Sequence, residues 1–338
     1  MMRAVVLVAL GITLFGSLEN IEAGQFVIVN LDPPNAGLND PEPVSPVGGN
    51  DGTTLGEQRM NVLEAAAARW ANFLELTVEI RVGATFEELE CDPTSGVLGT
   101  AGPNNVAANF TGAPVADTWY TIAQAITLAE SDLILADNQH ISTRYNVRLD
   151  DGDSDCLGGN TWYYGLDDEG PFGTVPLFPV VLHELAHGLG FLTLVDLESG
   201  ARLETGDGDP LNDAYMLFLR DQEVEKDWPD MTDAERVDSA VNDPNVVWTG
   251  PTVDAMSNMV TDPAAFSGGL LRVHAPGEIE DGSSISHWTP DADPPLLMEP
   301  ARQPGIFDEL DLTPALFSDI GWPVNFPGIE IFRDRFEP

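Results

Sequence analysis

The sequence predicts an α+β fold: an N-terminal twisted sheet with two long helices, then a loop-rich C-terminal subdomain. Three observations predict it. Apolar residues recur at helical spacing in two long segments, and they alternate with period two in others. Glycine (32) and proline (26) are abundant without any repeat, which marks many ordered loops. At 338 residues and 43% hydrophobic, the chain carries enough apolar material for a core, so a wholly disordered protein is excluded.

Each element has its own signal. Met1 to Arg3 is a basic start, and Ala4 to Leu18 is an apolar run shorter than a membrane span needs. Residues 1–23 therefore read as a secretory signal peptide. Residues 24–31 read as a strand. Residues 32–54, with five prolines and four glycines, read as an irregular exposed arm. Met60, Leu63, Ala67, Trp70 and Leu74 share one face of a helix over 55–74. Leu76, Val78, Ile80 and Val82 alternate as in a strand over 75–82. Trp119 to Leu128 fits a helix or a strand, and Ile141 to Leu149 alternates like an edge strand. Pro179 to Leu194 is the second long helix, with Pro179 suited to its start and Gly188 and Gly190 to its end. Thr232 and Glu235 form a capping box for a helix over 232–241.

Charge narrows the partners. Fourteen Lys and Arg stand against 56 Asp and Glu, a formal net charge of −42. Such a surface repels nucleic acid and anionic lipid and excludes both as partners of the mature chain. In an exported chain, extracellular or periplasmic, the two cysteines Cys91 and Cys156 are expected to form one disulfide. Asp151, Asp153 and Asp155, and likewise Asp207, Asp209 and Asp213, resemble parts of oxygen-rich Ca²⁺ loops, although solvated acidic loops are the simpler reading in so acidic a chain. The aromatic run Trp162-Tyr163-Tyr164 suits a cleft wall or the core.

Chemistry concentrates in His183-Glu184-Leu185-Ala186-His187. On a helix, positions i and i+4 lie one turn apart on the same face, so both imidazoles can bind one zinc ion. Zinc lowers the pKa of a bound water towards neutrality, and Glu184 stands where it can take the proton. A catalytic zinc wants a third protein ligand and one open position. His287, His274, His140 and the carboxylates of Glu198, Glu204, Asp207 and Asp213 are the candidates, with His140 expected at the surface.

Four blocks give the chain a family likeness. His183 to Phe191 reads His-Glu-x-x-His-x-x-Gly-Phe; Ser286-His287-Trp288 and Leu297-Met298-Glu299-Pro300 come next; and Leu312 to Trp322 ends in Asp-Ile-Gly-Trp. In this the chain resembles leishmanolysin-type metalloproteases, metzincin-like enzymes with an insertion before the third histidine. The blocks cover 27 residues of the chain. The resemblance implies His287 as third zinc ligand and Met298 as the residue of the Met-turn below the metal. The chain departs from the plain metzincin pattern at Thr193, where a histidine would stand, and no cysteine in 24–54 matches the family's latency cysteine. The implied layout is a catalytic subdomain over 24–194, an acidic insertion over 195–285, a C-terminal subdomain over 286–325 and a tail over 326–338. The expected activity is that of a secreted zinc endopeptidase acting on protein or peptide, with Glu184 as general base. A second expectation, from another class, is an exported acidic binding or surface protein whose zinc site is structural or degenerate. Nothing in the sequence indicates an oligomeric state.

Overall fold

The computed structural model describes residues 25–134, 138–302 and 305–326. The expected signal peptide and the tail beyond Phe326 lie outside them. In chain order the N-terminal half comprises β1 (Phe26–Asn30), α1 (Leu55–Ala71), β2 (Ile80–Glu87), β3 (Gly99–Pro103), β4 (Val106–Ala107), β5 (Thr118–Thr121), α2 (Ile122–Ala129), β6 (Ile141–Asn146), β7 (Thr161–Tyr163), β8 (Thr174–Pro176) and α3 (Leu177–Leu189).

Thr54 starts α1 with both halves of a capping box, its hydroxyl accepting from Glu57 N and the Glu57 carboxylate accepting from Thr54 N. The buried face of the helix, with Val62, Leu63, Ala66 and Trp70, lies against α3, and the Trp70 indole donates to Leu182 O at 3.1 Å. The main sheet has the order β1-β2-β6-β3. The first three strands are parallel and β3 is antiparallel to β6. This corrects one expectation: the strand at 141–146 is paired on both sides, and the edge belongs to β3. The Gly-Thr-Ala-Gly-Pro sequence of β3 has no apolar alternation, which hides it from pattern reading. The strand expected over 75–82 is also displaced. Register with β1 starts at Ile80, while Leu74 and Glu75 bridge to Val324 and Pro323 near the C-terminus.

Residues 32–54 are less exposed than expected. Leu38 is buried, and buried Asn50 donates to Gln58 O and Tyr164 O. His140, expected at the surface, is fully buried because its Nδ1 accepts from Arg81 N at 2.9 Å at the start of the β2–β6 pairing. Trp162, Tyr163 and Tyr164 are buried rather than lining a cleft. Tyr164 and Arg59 both reach the Asp150 carboxylate at 2.5 Å.

The C-terminal half carries β9 (Asn212–Asp213), β10 (Leu219–Asp221), β11 (Lys226–Asp227), α4 (Asp233–Ser239), β12 (Val246–Trp248), α5 (Pro251–Met256), β13 (Phe266–Ser267), β14 (Leu270–Leu271) and α6 (Thr313–Asp319), mostly short elements between loops. The Thr232–Glu235 capping box is present at α4. Residues 195–285 pack against the C-terminal segment. Trp248 meets Trp288 edge to face at 6.0 Å, and the Tyr215 hydroxyl donates to Ile285 O. Asp319 accepts from Thr252 N and Val253 N at the start of α5. The fold is thus mixed α and β, and one contiguous core runs from Leu38 to Trp322. Cys91 and Cys156 form the expected disulfide, closing a separation of 65 residues. No helix among the described residues is long and apolar enough to cross a membrane.

Candidate metal centre

Helix α3 presents His183 and His187 one turn apart, as their spacing requires. The helix runs close to the sheet, and Gly188 is what allows it: a Cβ there would lie 2.3 Å from Ile141 Cγ2. Gly190 (φ 126°) ends the helix at its C-cap, in a conformation that favours glycine. Leu189 O, left without a helical partner, accepts from Thr121 Oγ1 at 3.1 Å and from the Trp322 indole at 3.0 Å. The conspicuous Gly-Trp near the C-terminus therefore holds the end of the histidine helix.

Three imidazoles meet at one point. The Nε2 atoms of His183, His187 and His287 lie 3.1, 3.1 and 3.2 Å apart. Each ring directs Nδ1 at a carbonyl: His183 at Leu297 O (2.7 Å), His187 at Phe191 O (2.9 Å) and His287 at Ser283 O (2.8 Å). A carbonyl only accepts, so all three Nδ1 atoms are the protonated ones. Three bare Nε2 lone pairs then face one another, an arrangement that repels unless a cation sits among them. Tetrahedral ligation at ~2.0–2.1 Å spaces imidazole nitrogens by about 3.3 Å, close to the separations found. Burial keeps the rings neutral: it lowers His183 to about 4 and His187 to about 3, the latter also through the neighbouring His183, and together with both neighbours it holds His287 well below the usual imidazole range. This is the one group of its kind among the described residues. The donor set fits a metal ion.

The centre opens into a cleft of 1360 Å³ lined by the three histidines, Glu184, the start of β3, the 90–98 loop, Leu297, residues 300–302 and Ile306. Glu184 is buried, and burial pushes its carboxyl up to about 8. It lies against Gly99 of the edge strand, where a Cβ would be 2.9 Å from Glu184 Cγ and 3.1 Å from Oε1. Met298 is fully buried at the turn that supports the centre. Its carbonyl accepts from Trp288 N at 2.8 Å, beside His287, and the preceding Leu297 O holds His183. Asp311 in turn accepts from Leu297 N.

The structure thus brings together His183, Glu184, His187 and His287. It excludes the rival ligands. His274 pairs with Glu280 at 3.0 Å, and His140 is engaged at Arg81 N through its Nδ1 at 2.9 Å. Asp213 turns inward to Thr193 Oγ1, Leu194 N and Met216 N, so the threonine that replaces a histidine is tied to the core by that carboxylate. Glu198, Glu204 and Asp207 join no ligand cluster among the described residues. Neither acidic loop gathers a Ca²⁺ ligand set: Asp153 caps its own loop at Asp155 N and faces Arg148, while Asp213 is engaged as above. Pattern reading misses Gly99, Asp311 and the carbonyls of Phe191, Ser283 and Leu297. A carbonyl has no residue signature, and Gly99 sits in a run that looks like loop. No family model, curated protein or solved structure matches the chain.

Proposed function

We propose that this protein is an exported zinc-dependent endopeptidase of the metzincin-like, leishmanolysin-like type. One observation carries the reading: three neutral imidazole lone pairs converge beside a buried carboxylate on the floor of an open cleft. His183, His187 and His287 would hold the ion, and Met298 and Trp288 support the turn behind them. A bound zinc supplies Lewis-acid polarisation of a peptide carbonyl and acidifies water at the site.

The chain's own groups supply the rest. Edge strand β3 has one free side, along which an extended peptide can pair. Glu184, adjacent to the centre but not part of the histidine set, accepts the proton of the attacking water and returns it to the leaving amine. A carboxyl already pushed up to about 8 by burial is suited to holding that proton between the two transfers. A purely structural zinc site needs neither this carboxylate nor the cleft in front of it. The motif blocks at 183–191, 286–288, 297–300 and 312–322 support the family reading, and the disulfide supports export to an oxidising compartment.

The test is metal content and gelatin hydrolysis of the mature protein beside His287→Ala and Glu184→Ala. One zinc per chain with hydrolysis is expected. His287→Ala loses both, and Glu184→Ala keeps zinc and loses hydrolysis. A zinc-loaded wild type that cleaves no protein or peptide refutes the enzyme reading. Retention of zinc and hydrolysis in His287→Ala refutes the ligand set.

A further inference from the structure

The cation inventory of this acidic chain points to a substrate preference at the same cleft. With 56 carboxylates to 14 cations, a basic side chain finds an acidic or carbonyl partner almost anywhere on the surface. The lysine and arginine side chains of the described residues behave accordingly: Arg59, Arg69, Arg81, Arg144, Arg148, Arg202, Arg220, Lys226, Arg236 and Arg272 each hold a protein hydrogen bond or ion pair. Arg302 is the exception among them. It is exposed and lines the cleft of the histidine centre. Asp168 acts on it electrostatically, and no ion pair joins the two.

We infer that Arg302 binds a substrate carboxylate, so that the cleft selects peptides carrying one at a single position. The proposal rests on the peptidase reading above. Arg302 comes just after the turn that holds His183, and apolar Val175, Pro179, Val180 and Ile306 line the same cleft. A guanidinium beside an apolar wall offers a planar fork that matches a carboxylate and is more weakly hydrated than an ammonium. Elsewhere the lining is hostile to such a group. Glu90, Asp92 and Asp281 also face the cleft, and the other cation there, Arg148, already holds Cys91 O at 2.8 Å. Among the described lysine and arginine side chains lining the cleft, Arg302 is thus the one without a protein partner, which makes the preference positional. The carboxylate comes either from an Asp or Glu side chain or from a peptide C-terminus.

The experiment uses two readouts on the zinc-loaded mature protein. Peptides carry Glu, Gln or Lys in turn at each of the three positions on either side of the cleaved bond, all with amidated ends. A parallel set has no acidic side chain and ends in a free acid or an amide. Hydrolysis is followed in the wild type, Arg302→Gln and Arg302→Glu. Binding is followed by fluorescence anisotropy in each of these combined with Glu184→Gln. The expected result is an advantage of about tenfold for the carboxylate peptide at one position. That ratio falls to about one in Arg302→Gln and inverts in favour of Lys in Arg302→Glu. Dependence on internal Glu identifies a side chain as the source, and dependence on the free acid identifies a terminus. Equal rates and affinities for all matched pairs overturn the proposal while leaving the peptidase intact, as does a ratio that persists in Arg302→Gln. Discriminating binding without hydrolysis of any peptide sustains the proposal and sinks the peptidase reading. Absence of both binding and hydrolysis overturns the two together.

Discussion

Gly99→Ala is the sharpest perturbation of this site, because it alters the carboxylate and leaves every histidine alone. The added methyl would lie 2.9 Å from Glu184 Cγ, 3.1 Å from Oε1 and 3.2 Å from Cδ. Carbon atoms in good contact sit ~3.5–4.0 Å apart, so the overlap is roughly 0.6–1 Å. The strand has little room to retreat, since Gly99 is in register with Tyr145 of β6 and the histidine helix is packed against that sheet. Glu184 therefore gives way. An off-rotamer side chain costs about 0.5–1.5 kcal/mol, and overpacking of this kind costs about 1–3 kcal/mol in total. A carboxylate displaced by something under 1 Å is expected to lower kcat by about 10- to 100-fold. Zinc content stays at the wild-type value. Gly102→Ala, on the same strand with nothing within 4 Å of its new methyl, is the control and should change kcat less than twofold. The assay is peptide hydrolysis with zinc content and a urea midpoint measured on the same samples. Full activity in Gly99→Ala refutes the claim that Glu184 is held in its working position by the edge strand. Equal losses in both variants would assign the effect to stiffening of the strand.

Three further outcomes are expected. The double variant Cys91→Ser, Cys156→Ser opens a span of 65 residues and should lose ~4 kcal/mol, a fall in Tm on the order of 5–10 °C; an unchanged Tm would deny the crosslink its role. Burial raises Asp311 from 3.8 to about 6, so its stabilising contribution is complete below its unfolded pKa and is lost as pH rises through the folded one, up to about 3 kcal/mol by pH 7. Urea midpoints of Asp311→Asn should then fall less than those of the wild type between pH 4 and pH 7, and a steeper fall would reverse the assignment. Removing zinc with a chelator should lower Tm in the wild type but not in His287→Ala, because an ion that binds only the folded chain stabilises it by mass action; equal shifts in both would place the ion elsewhere.

Residue types with a fixed period were legible in the sequence alone. The first long helix follows from the spacing of Leu63, Ala67 and Trp70, the second from Pro179 and the terminal Gly188 and Gly190, and the Thr232–Glu235 capping box is a local pattern that tertiary packing leaves intact. The Cys91–Cys156 pairing followed from there being two cysteines. His287 was legible only through the motif blocks, since nothing local distinguishes it from His274; its identity as a partner of α3 is a long-range fact. The misses share one cause. Strand β3 and Gly99 are defined by the strand and helix across from them, and β2 is placed by its register with β1 rather than by its own alternation. His140 looked exposed because polarity says nothing of a backbone donor waiting at Arg81 N.

His187 and His287 stand 100 residues apart in the chain and 3.2 Å apart in space. Whatever the chain does between them begins and ends at the same point. Closing a loop costs free energy that grows only with the logarithm of its length, about 0.6 kcal/mol for each doubling. That excursion is accordingly a place where length is cheap. The exposed Thr205–Asp209 turn, whose Gly206 and Gly208 have nothing within 4 Å of a would-be Cβ, is its natural insertion point. A reporter domain or an affinity handle spliced there would hang from the protein without entering the path that joins the two histidines.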